Sequence, residues 1–232
     1  MTLKNDSVWF SRFDWNNLAY VGQWVELDIY WTHAAGNTLV FLDAHLENGL
    51  YVTLGLRQEQ KGARKAHMTV FKPGIQAIPG HGFSYNPKGG ENDTYCIGDY
   101  PFQFGEYYRL TIFAEANQVE GHVRRMSTNR VTRIGAFITG KGSLIRAQRS
   151  NGVALELFGM ENPCESKSRI YVSSPLRVDI HGNRSGATKG FVECEKCVNV
   201  DVHSDSKGHV IISHGGSTLD RFEEINKQWV SW

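Results

Sequence analysis

The sequence has little proline, little cysteine and almost no excess charge. Six prolines in 232 residues, against 24 glycines, exclude a polyproline or collagen-like chain. Lys and Arg total 25 and Asp and Glu total 24, so the net charge is +1. A generic nucleic-acid binder carries a basic surplus that this chain lacks, and no nucleic-acid partner is expected. No run reaches the ~18 uninterrupted apolar residues of a membrane span, so no transmembrane segment is expected. The first six residues, Met1 to Asp6, lack the apolar core of a signal peptide. Either the chain is cytoplasmic, or it is a mature secreted protein whose leader is not part of this sequence.

Four cysteines, Cys96, Cys164, Cys194 and Cys197, permit disulfides in three connectivities. A bridge from Cys164 to Cys194 or Cys197 is the expectation for a secreted chain. The Cys194-Glu195-Lys196-Cys197 knuckle would supply half of a zinc site. No second knuckle supplies the other half, so no structural metal is assigned.

What is present is β-rich. Hydrophobic residues make up 41% and aromatics 12%, a globular composition that excludes disorder. Trp24 to Trp31 alternates with period two: Val25, Leu27, Ile29 and Trp31 share one face, and Glu26, Asp28 and Tyr30 share the other. Asn48-Gly49 joins two further β-rich runs, Thr38 to Glu47 and Leu50 to Arg57, and predicts a hairpin with positive φ at both turn positions. Strands are also expected at Ala66–Phe71, Tyr107–Glu115, Gln118–Met126, Val131–Phe137 and Gly152–Phe158. After Pro175, short polar strands are expected up to His214. Ser217 to Trp229 reads as the chain's single helix, with Leu219, Phe222, Ile225 and Trp229 on one face. The fold expected is an all-β, antiparallel, two-sheet jelly-roll sandwich over residues 1–160. A β-rich extension over 161–232 ends in that short helix.

Three segments resemble a family of mostly bacterial, mostly secreted concanavalin-like β-sandwich domains of unknown function. The first is Asn48-Gly49-Leu50-Tyr51-Val52-Thr53-Leu54-Gly55-Leu56-Arg57 with Met68-Thr69-Val70-Phe71. The second is Tyr100-Pro101-Phe102-Gln103-Phe104-Gly105-Glu106-Tyr107-Tyr108-Arg109-Leu110. The third is Gly121-His122-Val123 with Thr132-Arg133-Ile134-Gly135. Phe71, Phe102 and His122 stand where tryptophans are usual in that family. The resemblance implies a sandwich, a secreted habitat and a glycan or cell-surface role, and it carries over no catalytic residue.

The candidate chemistry gathers in one long segment. From Lys72 to Phe104 the strand pattern breaks, and a loop of that length in a compact domain is usually functional. It holds Tyr85, Tyr95 and Tyr100, whose rings can stack on sugars. It also holds Glu91, Asp93 and Asp99, whose oxygens can accept hydroxyl protons. Lys61 and Arg64 precede it and would attract an anionic chain. Oxygen ligands from Gly89-Gly90-Glu91-Asn92-Asp93 could hold calcium. From Gly121 to Leu155 there are seven cations and no acid, a second reason to expect an anionic ligand.

No nucleophile elbow, zinc-protease helix or phosphate-binding loop is present. Glu26 with Asp43 is one paired-carboxylate option. Arg57, His67 and Tyr107 are an option for a lyase if they converge on one concave face. The sequence therefore reads first as a lectin-like carbohydrate- or cell-surface-binding module, and second as a polysaccharide lyase or glycoside hydrolase on the same fold.

Overall fold

The structure, a computed structural model, describes residues 4–15, 22–34, 36–89, 92–146, 152–160, 167–195, 200–214 and 227–232. Among them there is no helix, and every strand pairing is antiparallel. No helix is long and apolar enough to cross a membrane.

One ladder is built on β3 (Thr38–His45), β4 (Tyr51–Gln58), β5 (Arg64–Val70), β7 (Phe83–Asn86) and β8 (Thr94–Asp99). They pair in the order β3-β4-β5-β8-β7. On the other side of β3 it continues through β12 (Val153–Met160), β1 (Lys4–Trp15), β15 (Arg184–Glu195) and β18 (Lys227–Ser231). The second ladder runs β6 (Ala77–Pro79), β11 (Arg130–Ile138), β10 (Gln118–Arg125), β9 (Tyr107–Ala114) and β2 (Gly22–His33). The far edge of β2 is shared. Its first half pairs with β14 (Leu176–Asp179) and its second half with β13 (Ser168–Val172). Beyond β13 lie β17 (Val210–His214) and β16 (Val200–Ser204). Strand β15 pairs with both β14 and β1, which makes the whole one continuous, nearly closed antiparallel sheet.

Alternation sets which residues meet inside. Leu54 and Leu56 of β4, Met68 of β5, Leu110 and Ile112 of β9 and Val123 of β10 are buried in a single apolar cluster. Both ladders therefore turn one face onto the same core. Trp31 is its largest buried side chain and stacks on Phe102 with ring centroids 5.2 Å apart.

Several expectations need correction. The Lys72–Phe104 segment is not one long loop, because it contributes β6, β7 and β8. Its strand character comes from edge pairing: β8 zips onto β5 from Lys65↔Asp99 to Val70↔Thr94. The Asn48-Gly49 hairpin forms, but positive φ falls on Gly49 alone, at 85°. Gly49 N–H donates to Leu46 O, a type I turn closed by a left-handed glycine. The terminal helix is not seen. Residues 227–231 are β18, paired with Lys189–Glu193, and residues 217–226 lie outside those described.

Among the described residues no disulfide is present. Cys96 is a buried free thiol and Cys194 is buried on β15, while Cys164 and Cys197 lie outside the described residues. The strands expected as an extension beyond residue 161 pair directly with β1 and β2, and Ile170, Val172 and Val192 join the common core.

Candidate functional site

The outward face of the first ladder is not the polar surface that simple alternation predicts. In β3, Val40, Leu42 and Ala44 point into the core, yet Leu39 and Phe41 on the opposite face are apolar as well. In β12, Val153 and Leu155 point inward and leave Ala154, Glu156 and Phe158 outward. β4 sends out Thr53 and Arg57, β5 sends out His67 and Thr69, and β8 sends out Tyr95 and Ile97. These side chains, together with Phe71 and Asp93, line a groove of about 490 Å³ across the strands. A second hollow of about 270 Å³ continues it. It shares Phe41 and Glu156 with the first and adds Ser7, Trp9, Asp43, Tyr51 and Ala154.

Register explains why the groove is deep at its centre. Gly55 lies directly opposite His67 on β5 and Phe41 on β3. A Cβ there would stand 2.9 Å from both side chains and 2.6 Å from Val40 O. The missing side chain lets the imidazole and the phenyl ring lie across the strand. His67 is only 9% exposed and its Nδ1 has no hydrogen-bond partner. Burial, helped by the nearby Arg57 charge, pushes its pKa down to about 4, so the ring is neutral at neutral pH.

Arg57 is held by its neighbours. Its guanidinium carbon lies 4.1 Å from the centroid of the Phe158 ring. Its Nε is 3.6 Å from Glu59 Oε1, an ion-pair distance too long for a hydrogen bond, and makes no hydrogen bond. Arg57 and His67 thus each bring to the lining of the groove a polar atom that makes no hydrogen bond. Buried polar groups are nearly always satisfied, so such a pair points to a ligand that supplies the missing bonds.

The smaller hollow holds a prepared carboxyl. Asp43 Oδ1 accepts a hydrogen bond from Gly152 N–H, and Oδ2 accepts one from Tyr51 O–H at 3.1 Å. Gly152 makes the nest possible, since a Cβ there would lie 2.4 Å from Asp43 Oδ2. Burial raises the Asp43 pKa to about 7, although both hydrogen bonds pull it down. Tyr51 is pushed well up by burial and by the charges of Asp43 and Glu156. Glu156 is a second carboxyl on the wall of the same hollow.

The residues expected from sequence separate into two groups. Asp93 and Tyr95 line the groove; Tyr95 Oη accepts a hydrogen bond from Asn86 Nδ2 at 2.8 Å. The others stand elsewhere. Tyr85 is exposed and donates its hydroxyl to Ile75 O at 2.9 Å. Tyr100 packs edge-on against Tyr108, and burial pushes its pKa up to about 12. Asp99 is exposed opposite Lys65, Lys61 is exposed in the β4–β5 turn, and Glu91 lies outside the described residues. Arg64 straps the strand to the next segment: its Nε donates to Gln58 Oε1 and its guanidinium lies over the Phe104 ring.

Of the lyase-type trio, Arg57 and His67 share the groove. Tyr107 does not; it lies on the other ladder against Tyr30, ring centroids 4.7 Å apart. Glu26 and Asp43 are likewise on different ladders, and Glu26 pairs with Arg109 at 3.3 Å. Two cations of the basic run stand beside acids. Arg125 is clamped by Glu106, and Arg133 lies 3.9 Å from Glu120. Among the described residues, no group of three or more His, Cys, Asp or Glu is arranged to hold a metal ion.

Asp43 was named only as a partner for Glu26, and Glu156 and Phe158 were not singled out by their sequence context. The available signal was the apolar run Leu39-Val40-Phe41-Leu42, which leaves hydrophobic residues on the face that should be wet.

The fold and the groove define an all-β antiparallel protein with one lined sheet face. No protein-family model matches the chain, and no curated protein matches it. Among solved structures it is similar to the full-length tailspike protein 2 from Escherichia coli O157:H7 bacteriophage CAB120. The TM-score is 0.38 at 13% identity, covering 72% of this chain and 21% of that one. The bacteriophage CBA120 tailspike protein 2 enzymatically active domain gives a TM-score of 0.35 at 12% identity, covering 72% and 23%. This chain spans less than a quarter of either tailspike chain.

Proposed function

We propose that the chain is a carbohydrate-binding module on a jelly-roll sandwich of the concanavalin-like kind, and that a glycan chain lies in the groove across β12, β3, β4, β5 and β8. One observation carries the reading: His67 and Arg57, whose Nδ1 and Nε make no hydrogen bond, line a groove together with Phe41, Phe71, Phe158 and Tyr95. A sugar hydroxyl both donates and accepts, so it can satisfy a guanidinium N–H and either state of a neutral imidazole nitrogen. The apolar faces of sugar rings pack on aromatic side chains. A groove that crosses five strands and adjoins a second hollow suits a chain better than a small compact ligand.

Charge decides the kind of glycan. Among the described residues the lining carries the guanidinium of Arg57 and the carboxyl groups of Asp93, Glu156 and Asp43. This lining has no surplus of cations to hold a sulfated or uronic chain, so the ligand proposed is an uncharged one. A secreted protein meeting extracellular or cell-surface polysaccharide fits this use.

The test is a glycan array followed by calorimetric titration on the full chain, with and without chelator. Neutral oligosaccharides should bind, and Arg57→Met should weaken them at least tenfold with little change in melting temperature. Binding confined to anionic glycans, or no binding to any glycan, overturns the reading.

A further inference from the structure

We propose that Asp43 and Glu156 form an acid–base pair that hydrolyses a glycosidic bond of the bound chain. The inference rests on the glycan reading of the groove and goes beyond it by assigning a reaction. Its grounds are geometric. The hollow holding both carboxyls is continuous with the groove that contains the buried, partnerless His67 nitrogen, and Phe41 and Glu156 belong to both. A chain lying along the groove therefore passes over Asp43.

The two carboxyls are differently placed. Asp43 is fixed from two directions by Gly152 N–H and Tyr51 O–H. A carboxyl has about four lone-pair sites, so these bonds leave room for a proton facing the hollow. Among the described residues, the other titratable groups around it are Tyr51 from β4, Glu156 from β12 and His45 two residues along its own strand, and β1 brings Ser7 and Trp9 to this wall. With a pKa raised to about 7, Asp43 keeps its proton in mildly acidic solution, the state a general acid needs.

Glu156 stands on the neighbouring strand. Gly152 is the residue beside Asp43, and Glu156 is opposite Leu39, four positions along. At about 3.3 Å of rise per residue, that offset is roughly 13 Å between backbones. Both carboxyls belong to the wall of the same hollow, and this backbone offset is too long for them to come within about 5 Å of each other. Carboxyls that form a covalent sugar intermediate stand only about 5 Å apart, whereas a pair that activates water is about 6.5–9.5 Å apart. The wider arrangement is the one assigned.

The step balances. Asp43 gives its proton to the glycosidic oxygen as the bond from that oxygen to the anomeric carbon breaks. A water oxygen bonds to the anomeric carbon, and Glu156 takes the proton that water loses. The products are two hydroxyl-ended chains, and solvent returns each carboxyl to its starting state.

The experiment incubates the full chain with soluble xylan, glucomannan, laminarin and galactan and measures reducing ends, with binding measured on the same samples. Release of reducing ends is expected, with the newly formed anomer inverted by proton NMR. Asp43→Asn and Glu156→Gln should each lower the rate at least a hundredfold while the chain still binds. Tyr51→Phe removes a bond that lowers the Asp43 pKa, so the alkaline limb of the rate profile should move to higher pH. If Asp43→Asn does not fold, the Glu156→Gln rate and the Tyr51→Phe profile carry the test. Binding without turnover overturns the hydrolysis and leaves the glycan reading standing. Turnover that survives both substitutions, a retained anomer, or an unsaturated sugar end overturns the assignment of the pair. Neither binding nor turnover overturns both readings.

Discussion

Replacing Asp43 by Asn should flatten the pH dependence of stability. In the unfolded chain this carboxyl titrates near 3.8, and in the fold burial raises it to about 7. Folding therefore increases its proton affinity. The stabilisation this gives is whole below the unfolded value and is lost as pH climbs from about 4 to 7. A shift of about three units corresponds to about 4 kcal/mol across the full range. Between pH 5 and pH 8 the part that changes is about 2.7 kcal/mol, and contact with water in the hollow screens it to about 2 kcal/mol. His67 titrates in the opposite sense, since its lowered pKa costs stability as pH falls from 6.5 towards 4. Comparing parent with Asp43→Asn cancels that contribution. The side-chain amide can accept from Gly152 N–H and donate to the Tyr51 oxygen, so the nest survives. Urea denaturation of both proteins at pH 5, 6, 7 and 8 gives the difference directly. The parent should lose about 2 kcal/mol relative to the variant over that range. Parallel curves would refute the claim that Asp43 is buried in a protonated state.

Three further outcomes are expected. His67→Leu removes a buried polar atom that has no partner, so stability should hold or rise by about 1 kcal/mol while glycan affinity falls at least tenfold in calorimetry. Gly55→Ala drives a methyl group onto Val40 O, His67 and Phe41; chemical denaturation should show a loss of about 1–3 kcal/mol, with binding impaired even where the protein is folded. Trp31→Ala empties the centre of the core beside Phe102 and Phe104 and should cost about 3–5 kcal/mol by the same assay, enough to unfold a marginal domain.

Where local chemistry decides structure, the sequence was readable. The β2 alternation puts Val25, Leu27, Ile29 and Trp31 in the core, as period two requires. Asn48-Gly49 does turn the chain between β3 and β4. Where partners decide, it was not. In β1, Val8 and Phe10 are buried, then a bulge between Phe10 and Arg12 resets the alternation so that Phe13 and Trp15 follow out of step. That break hides a twelve-residue strand. β8 becomes a strand because the open edge of β5 satisfies its backbone, which no window of β8 alone reveals. The spacing of Leu219, Phe222, Ile225 and Trp229 suggests a helix, yet at its end Trp229 faces out beside Phe191 while Val230 faces in, the alternation of a strand.

The site follows the same division. Arg57 and His67 were nameable as residue types suited to sugar chemistry. Their meeting depends on β4–β5 register and on Gly55, and their separation from Tyr107 depends on which ladder each strand joins. Asp93 and Tyr95 reach the groove because β8 lies at its rim. Tyr85 and Tyr100 come from the same segment but point into other contacts.

The central claim is that His67 lines a glycan groove, and its ring nitrogens can be watched directly. The measurement is a long-range proton–nitrogen NMR titration of the full chain with the neutral oligosaccharide that binds most tightly. The His67 Nδ1 signal should shift and saturate with the same affinity as calorimetry, while the signals of His203 and His209, on the other ladder, stay in place. An unmoved His67 signal at saturating glycan would contradict the account.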